Sequence, residues 1–200
     1  MDPIRQLSSR QVYRNAWMTV REDDIRRPDG SHGIYGVVDK PDYALVIPAD
    51  GDRLHLVEQY RYPLGLRRWE FPQGTAPGPE SPDPAELAAR ELREETGLIA
   101  GRLTDLGQLD VAPGLSSQRG RVFLATELVP GPHEREHEEQ DMRTGWFTRA
   151  EFEKLLTRGE ITDAQSIAAY LLLLFHERSR QSATPFTDPP PPAGGTRAKP

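Results

Sequence analysis

Residues 70–98 read EFPQGTAPGPESPDPAELAARELREETGL. The second half of this stretch has the marks of a helix. Asp83 suits an N-cap, Pro84 the first helical position and Gly97 the stop. Ala85, Ala88, Ala89, Leu92 and Thr96 recur at the spacing of one helical face, which needs a sheet to pack on. Glu91 and Glu95 are four residues apart, so they stack on one line at the margin of that face. Glu94 stands beside them, rotated by about 100°. Like charges at this spacing cost a few tenths of a kcal/mol even when solvated. A hard divalent cation removes that cost, and Mg²⁺ is commonly shared between carboxylates and substrate phosphates. A bare ExxEE pattern is more often a solvated acidic face, here with Arg90 and Arg93 as partners. The surroundings must therefore decide.

Working outward towards the N-terminus, Arg67 to Phe71 reads as the strand entering this stretch, ended by Pro72-Gln73-Gly74. Tyr43 to Ile47 and Leu54 to Glu58 flank Ala49-Asp50-Gly51-Asp52, a hairpin signal. Ile34 to Val38 and Val12 to Val20 are β-branched and aromatic, hence two more strands. Arg27-Pro28-Asp29-Gly30 turns the chain between them. Residues 1–10 are polar and read as loose.

Towards the C-terminus, Arg102 to Asp110 and Arg121 to Leu128 read as strands, joined by a loop at Ala112-Pro113-Gly114. His133 to Asp141 is a strongly acidic loop, followed by a short strand at Gly145-Trp146-Phe147. Thr148 and Glu151 form a capping box for a helix to Arg158, stopped by Gly159. Thr162 and Gln165 suggest a second box, opening a Leu-rich helix from Asp163 to Arg178. From Gln181 the chain is rich in Pro, Gly, Ser and Thr without periodicity, the signature of a disordered tail. The expected organisation is residues 1–38 as N-terminal strands, 39–180 as the main domain and 181–200 as the tail. Strands first and helices last make an α+β fold.

Composition narrows the function. The net charge of −6 argues against a nucleic-acid surface. It leaves room for a phosphate-bearing small molecule, because a bound metal reverses the local sign. The absence of cysteine rules out a thiol nucleophile and a zinc–thiolate site, and it fits a cytoplasmic setting. No signal-peptide core is visible. The longest apolar run, Ala168 to Phe175, is too short to span a bilayer.

Arg90-Glu91-Leu92-x-Glu94-Glu95-x-Gly97-Leu98 fits the core of the Nudix box, and five residues separate Gly74 from Glu80, as that box requires. The chain therefore resembles the Nudix hydrolase family. It departs in one respect: nine residues, Ser81 to Ala89, separate Glu80 from Arg90, an expansion of two. The resemblance implies an α/β/α sandwich with a mixed sheet and an N-terminal antiparallel sheet. It also implies Mg²⁺-dependent hydrolysis of a nucleoside diphosphate derivative, with Mn²⁺ as an alternative metal. Glu91 and Glu95 are the first metal ligands, then Glu94 and the main-chain carbonyl of Gln73, with Arg90 orienting the carboxylates.

The flanks resemble the ADP-ribose pyrophosphatase group. QYRYP precedes WEFPQG, and Pro113 lies sixteen residues beyond Gly97, where that group carries a Pro. The group places a Glu base, or further ligand, on the late acidic loop; Glu139 and Glu138 are the candidates, with Glu136 behind them. Arg61 can pair with a phosphate, or simply form a surface ion pair. Pro113 and Gly114 are taken as substrate contacts. Trp17 and Tyr35 are candidates to stack on a base, although aromatic residues in strands are more often core. In relatives the N-terminal sheet builds a homodimer. The expected reaction is ADP-ribose to AMP and ribose 5-phosphate.

Two alternatives stand. Phe71-Pro72-Gln73-Gly74 also resembles the dinucleoside polyphosphate hydrolases, and the ADP-ribose group more often has Ala or Gly where Gln73 stands. A non-catalytic Nudix-like regulator would carry a winged-helix segment or a broken box, and this sequence shows neither.

Overall fold

The computed structural model describes residues 3–76, 82–132 and 141–182. Its organising strand is β4 (Tyr43–Asp50), in which Tyr43 to Pro48 are all buried. Successive side chains leave a strand on opposite faces. Tyr43, Leu45 and Ile47 therefore join one core with Phe71, Phe152, Tyr170 and Leu173. Ala44 and Val46 join another with Leu87, Ala88, Leu92 and Phe123. A strand buried on both faces requires a layer on each side. Helix α1 (Pro84–Thr96) supplies one; α2 (Arg149–Thr157) and α3 (Ala164–Ser182) supply the other.

The sheet is mixed. β4 runs parallel to β9 (Arg119–Pro130) over Tyr43–Pro48, and β9 pairs antiparallel with β8 (Leu98–Asp110). On its other side β4 meets β5 (Arg53–Arg61) only at the hairpin, Ala49 with Leu54 and Asp50 with Arg53, across a turn at Gly51 with φ +59°. β5 then diverges to pair with β6 (Leu66–Glu70) and β10 (Arg143–Thr148). The three-residue β7 (Gln73–Thr75) takes the place beside β4 that β5 vacates. This divergence opens a space bounded by β6, β7 and α3.

A separate antiparallel sheet is formed by β1 (Arg5–Arg14), β2 (Thr19–Arg26) and β3 (His32–Asp39). It is fastened to the loop after β8. Val38 N–H donates to Leu115 O (2.9 Å), Tyr35 Oη to Gly114 O (3.0 Å) and Ser117 Oγ to Asp39 Oδ1 (2.8 Å). Burial works against the Asp39 carboxylate, but bonds from Ser117 and Arg21 outweigh it and hold its pKa below the ordinary value. The expected mixed α+β architecture with an N-terminal antiparallel sheet is therefore what the chain forms.

Several local expectations are corrected. Residues 5–10 are strand, not loose chain, because β1 borrows its pairing from β2 and needs no apolar pattern of its own. The stretch from Val12 to Val20 is broken by a turn, in which Asn15 Oδ1 accepts from the main-chain N–H groups of Trp17 and Met18. On α1 the buried face holds Leu87 and not Ala89. The Thr148/Glu151 capping box is present. The second box is not: Asp163 caps α3 by accepting from Ser166 N–H (2.8 Å), while Thr162 Oγ1 accepts from Arg68 (3.1 Å). α3 extends to Ser182, two residues into the stretch read as tail, and residues 183–200 lie outside the described residues. Among the described residues no helix is long and apolar enough to cross a membrane.

Candidate active site

Helix α1 begins where Asp83 Oδ1 accepts from Ala85 N–H and ends at Gly97 with φ +69°. Its apolar face packs on β4 and β9, and that docking carries Glu91 and Glu95 inward with it. They are only 6% and 1% exposed. Buried carboxylates need donors or cations. Main-chain N–H of Gln73 donates to Glu95 Oε2 (3.2 Å). Arg90 reaches Glu91 Oε1 (3.4 Å) and Glu94 Oε2 (3.6 Å), so one guanidinium spans both acids.

Gly74 lies against the Glu91 carboxylate. A Cβ placed there would come within 2.3 Å of Glu91 Oε2. Only a residue without a side chain allows the main chain this approach. The expected donor set, two buried carboxylates, Glu94 and a main-chain carbonyl, consists wholly of hard oxygens suited to Mg²⁺ or Mn²⁺. The cradle at Gly74 brings main chain and carboxylate together, so these residues fit the cation. Among the described residues no three acidic or imidazole side chains are already gathered tightly enough to hold one.

Beside this lies a cavity of about 540 Å³, lined by residues that include Lys40, Tyr43, Arg61, Arg68, Glu70, Gln73 and Asp163. Arg61 Nη2 donates to Glu70 Oε2 (2.9 Å). Burial opposes the charge on Arg61, but Glu70, Asp163 and Glu95 outweigh it and hold the guanidinium firmly protonated. Glu70 is 1% exposed. Burial pushes its pKa above the ordinary value; Arg61 pulls down and Asp163 pushes up. Burial, and then the charge of Asp163, likewise raises the pKa of the Tyr43 hydroxyl.

Glu91, Glu94, Glu95, Arg90, Gln73 and Arg61 are thus brought to one region. Pro113 and Gly114 are not in the cavity wall; Gln118, at the end of the same loop, is, with its amide donating to Pro41 O (2.7 Å). Trp17 and Tyr35 are exposed and belong to no core. Glu80, Glu136, Glu138 and Glu139 lie outside the described residues. The acidic loop's far end is anchored: Arg67 donates to Asp141 Oδ2 (2.6 Å) and O (2.8 Å) and to Glu58 Oε2 (3.0 Å). Sequence reasoning missed Glu70, Tyr43, Arg68 and Asp163. Glu70 had a signal, a carboxylate nine residues after Arg61 in a strand that returns beside it.

Comparisons with known proteins give the family and the fold. Residues 4–38 match the nucleoside diphosphate sugar hydrolase N-terminal domain, and residues 39–170 the NUDIX domain. The chain is 40% identical to an ADP-ribose pyrophosphatase of Mycobacterium tuberculosis over 167 residues, covering 82% of this chain and 80% of that one. It is 28% identical to an ADP-ribose pyrophosphatase of Bacillus subtilis, covering 86% of this chain and 92% of the relative. The crystal structure of an ADP compounds hydrolase superposes with a TM-score of 0.78 at 24% identity, over 92% of this chain and 97% of the other, which shows the shared fold. With the NUDIX domain matched over well above half its length, the chain belongs to the Nudix hydrolase family.

Proposed function

We propose that this Nudix hydrolase cleaves the diphosphate of ADP-ribose, giving AMP and ribose 5-phosphate, with Mg²⁺ and as a homodimer. The observation that carries the reading is the pair of buried carboxylates, Glu91 and Glu95, set against the Gln73–Gly74 main chain at the edge of a cavity walled by Lys40, Arg61 and Arg68. Similarity at 40% identity to a protein named ADP-ribose pyrophosphatase supports the choice of substrate.

Glu91, Glu95, Glu94 and the Gln73 carbonyl would hold the cation, which supplies charge neutralisation and acidifies a water. Arg90 orients Glu91 and Glu94. Arg61 and Lys40 attract the diphosphate, with Glu70 holding the Arg61 fork in the cavity wall. Glu139 or Glu138 takes the proton from the attacking water.

The dimer reading rests on the N-terminal sheet. All ten residues of β1 are exposed, and Ile4, Leu7, Val12, Tyr13, Trp17 and Ile34 add an apolar surface. Exposed apolar side chains concentrated in one small sheet suit an interface, and a C₂ contact would use that surface twice. Light scattering tests this part: a monomer would defeat it. Glu95→Gln tests the chemistry. The reading requires a folded protein whose ADP-ribose turnover is down by orders of magnitude, and near wild-type turnover would remove Glu95 from the site. Hydrolysis of diadenosine polyphosphates with none of ADP-ribose would promote the second substrate class.

A further inference from the structure

The side chain of Gln73 has no part in the reading above, which uses only its main chain. Along β7 successive side chains point to opposite faces. The Gly74 side faces Glu91 on α1, so the Gln73 side chain leaves on the other side. There its Nε2 donates to both Asp163 Oδ2 (3.1 Å) and Glu70 Oε2 (3.3 Å). An ionised carboxylate only accepts, and a primary amide carries two N–H groups, so a single Nε2 can serve both acids. Both acids are committed elsewhere as well. Glu70 holds Arg61, and Asp163 caps α3 through Ser166 N–H. The main chain of the same residue binds Glu95 on α1. Gln73 is therefore a junction, tied by its main chain to α1 and by its side chain to β6 and α3.

We infer that the Gln73 amide is a strut that fixes the Gln73–Gly74 main chain against Glu91 and Glu95, and so aligns the cation-binding carboxylates. It is a positioning residue, and its role rests on the function proposed above. β7 pairs with β4 at only three positions, which holds it weakly. Without the amide, Glu70 and Asp163 face the same gap as two like charges, and their repulsion pushes β6 and α3 away from the strand between them.

The test uses Gln73→Leu, Gln73→Met, Asp163→Asn and the double variant Gln73→Leu/Asp163→Asn. Mn²⁺ affinity is measured by water-proton relaxation on the full chain without substrate. Values of kcat and KM for ADP-ribose and metal-free melting curves accompany it. Asn caps a helix as well as Asp, so Asp163→Asn removes the repulsion and keeps the cap. Gln73→Leu and Gln73→Met are expected to weaken Mn²⁺ binding about tenfold and to lower kcat by a similar factor, with KM within about twofold. On the Asp163→Asn background the loss from Gln73→Leu is expected to shrink to about threefold. Unchanged Mn²⁺ affinity in both single Gln73 variants, or equal losses on both backgrounds, would overturn the strut. Wild-type protein that binds Mn²⁺ but leaves ADP-ribose intact defeats the substrate reading alone. Wild-type protein that binds no Mn²⁺ defeats both.

Discussion

Gly74→Ala separates activity from stability. An alanine Cβ would lie 2.3 Å from Glu91 Oε2, 2.6 Å from Cδ and 2.8 Å from Oε1, against an ordinary contact of 3.4 Å or more. The carboxylate must therefore retreat by about 1 Å. Gly74 does not occupy the left-handed region, so alanine adds no backbone strain. The clashing atoms are the end of a flexible side chain, and the fold is expected to lose no more than about 1 kcal/mol, the usual size of a tolerated substitution. The chemistry is less forgiving, because a misplacement of about 1 Å can cost about a hundredfold. The expected result is a melting temperature within about 5 °C of wild type and kcat for ADP-ribose reduced about a hundredfold. Mn²⁺ binding, followed by relaxation, falls alongside. Wild-type turnover by a folded Gly74→Ala protein would show that the Glu91 carboxylate need not sit where it does.

Three further substitutions test the packing and the charges. Phe152 is fully buried, its ring 4.4 Å from that of Tyr170 and 5.3 Å from that of Phe71; Phe152→Ala is expected to cost about 3–5 kcal/mol in urea unfolding. Thr148→Ala removes the N-cap of α2 and is expected to cost about 1 kcal/mol, seen as a small fall in the denaturation midpoint. Arg61→Met leaves Glu70 buried without its cation. Because Arg61 is 38% exposed, the expected loss at pH 7 is about 2 kcal/mol, below that of a fully enclosed pair. The sign with pH follows from Glu70, whose folded pKa lies above the ordinary 4.5. Protonation then favours the folded state, and that contribution is lost as pH rises through the folded value. The Arg61→Met deficit is therefore expected to be smallest below about pH 4.5 and to grow towards neutrality. A deficit independent of pH would place the loss in packing.

The legible parts of the sequence were those whose signals are local. Asp83, Pro84 and Gly97 mark both ends of α1, and Thr148 with Glu151 marks the start of α2. The spacing of Glu91 and Glu95 brought both inward. The first part of β1, read as loose chain, was missed because a strand paired along one edge needs no apolar alternation, and its residues are all exposed. Thr162 competed with Asp163 as cap for α3, and Arg68, 94 residues away, took the Thr162 hydroxyl. Glu70 and Asp163 came together only because β5 swings from β4 after two rungs. No local pattern encodes that divergence.

The same divergence bears on how the chain reaches its fold. After β5 leaves, β4 keeps two pairs from the hairpin and three from β7; its longest ladder, six positions, is with β9, which begins at Arg119. Emerging from the ribosome, the apolar stretch Tyr43–Pro48 therefore waits for more than seventy residues before its parallel partner exists. Distant pairing of this kind is slow, and an unpaired apolar edge invites association with other chains. Chains truncated before Arg119 are expected to aggregate even though they contain the whole of α1. Those extending through β9 and α3 can close both faces of β4 and stay dispersed.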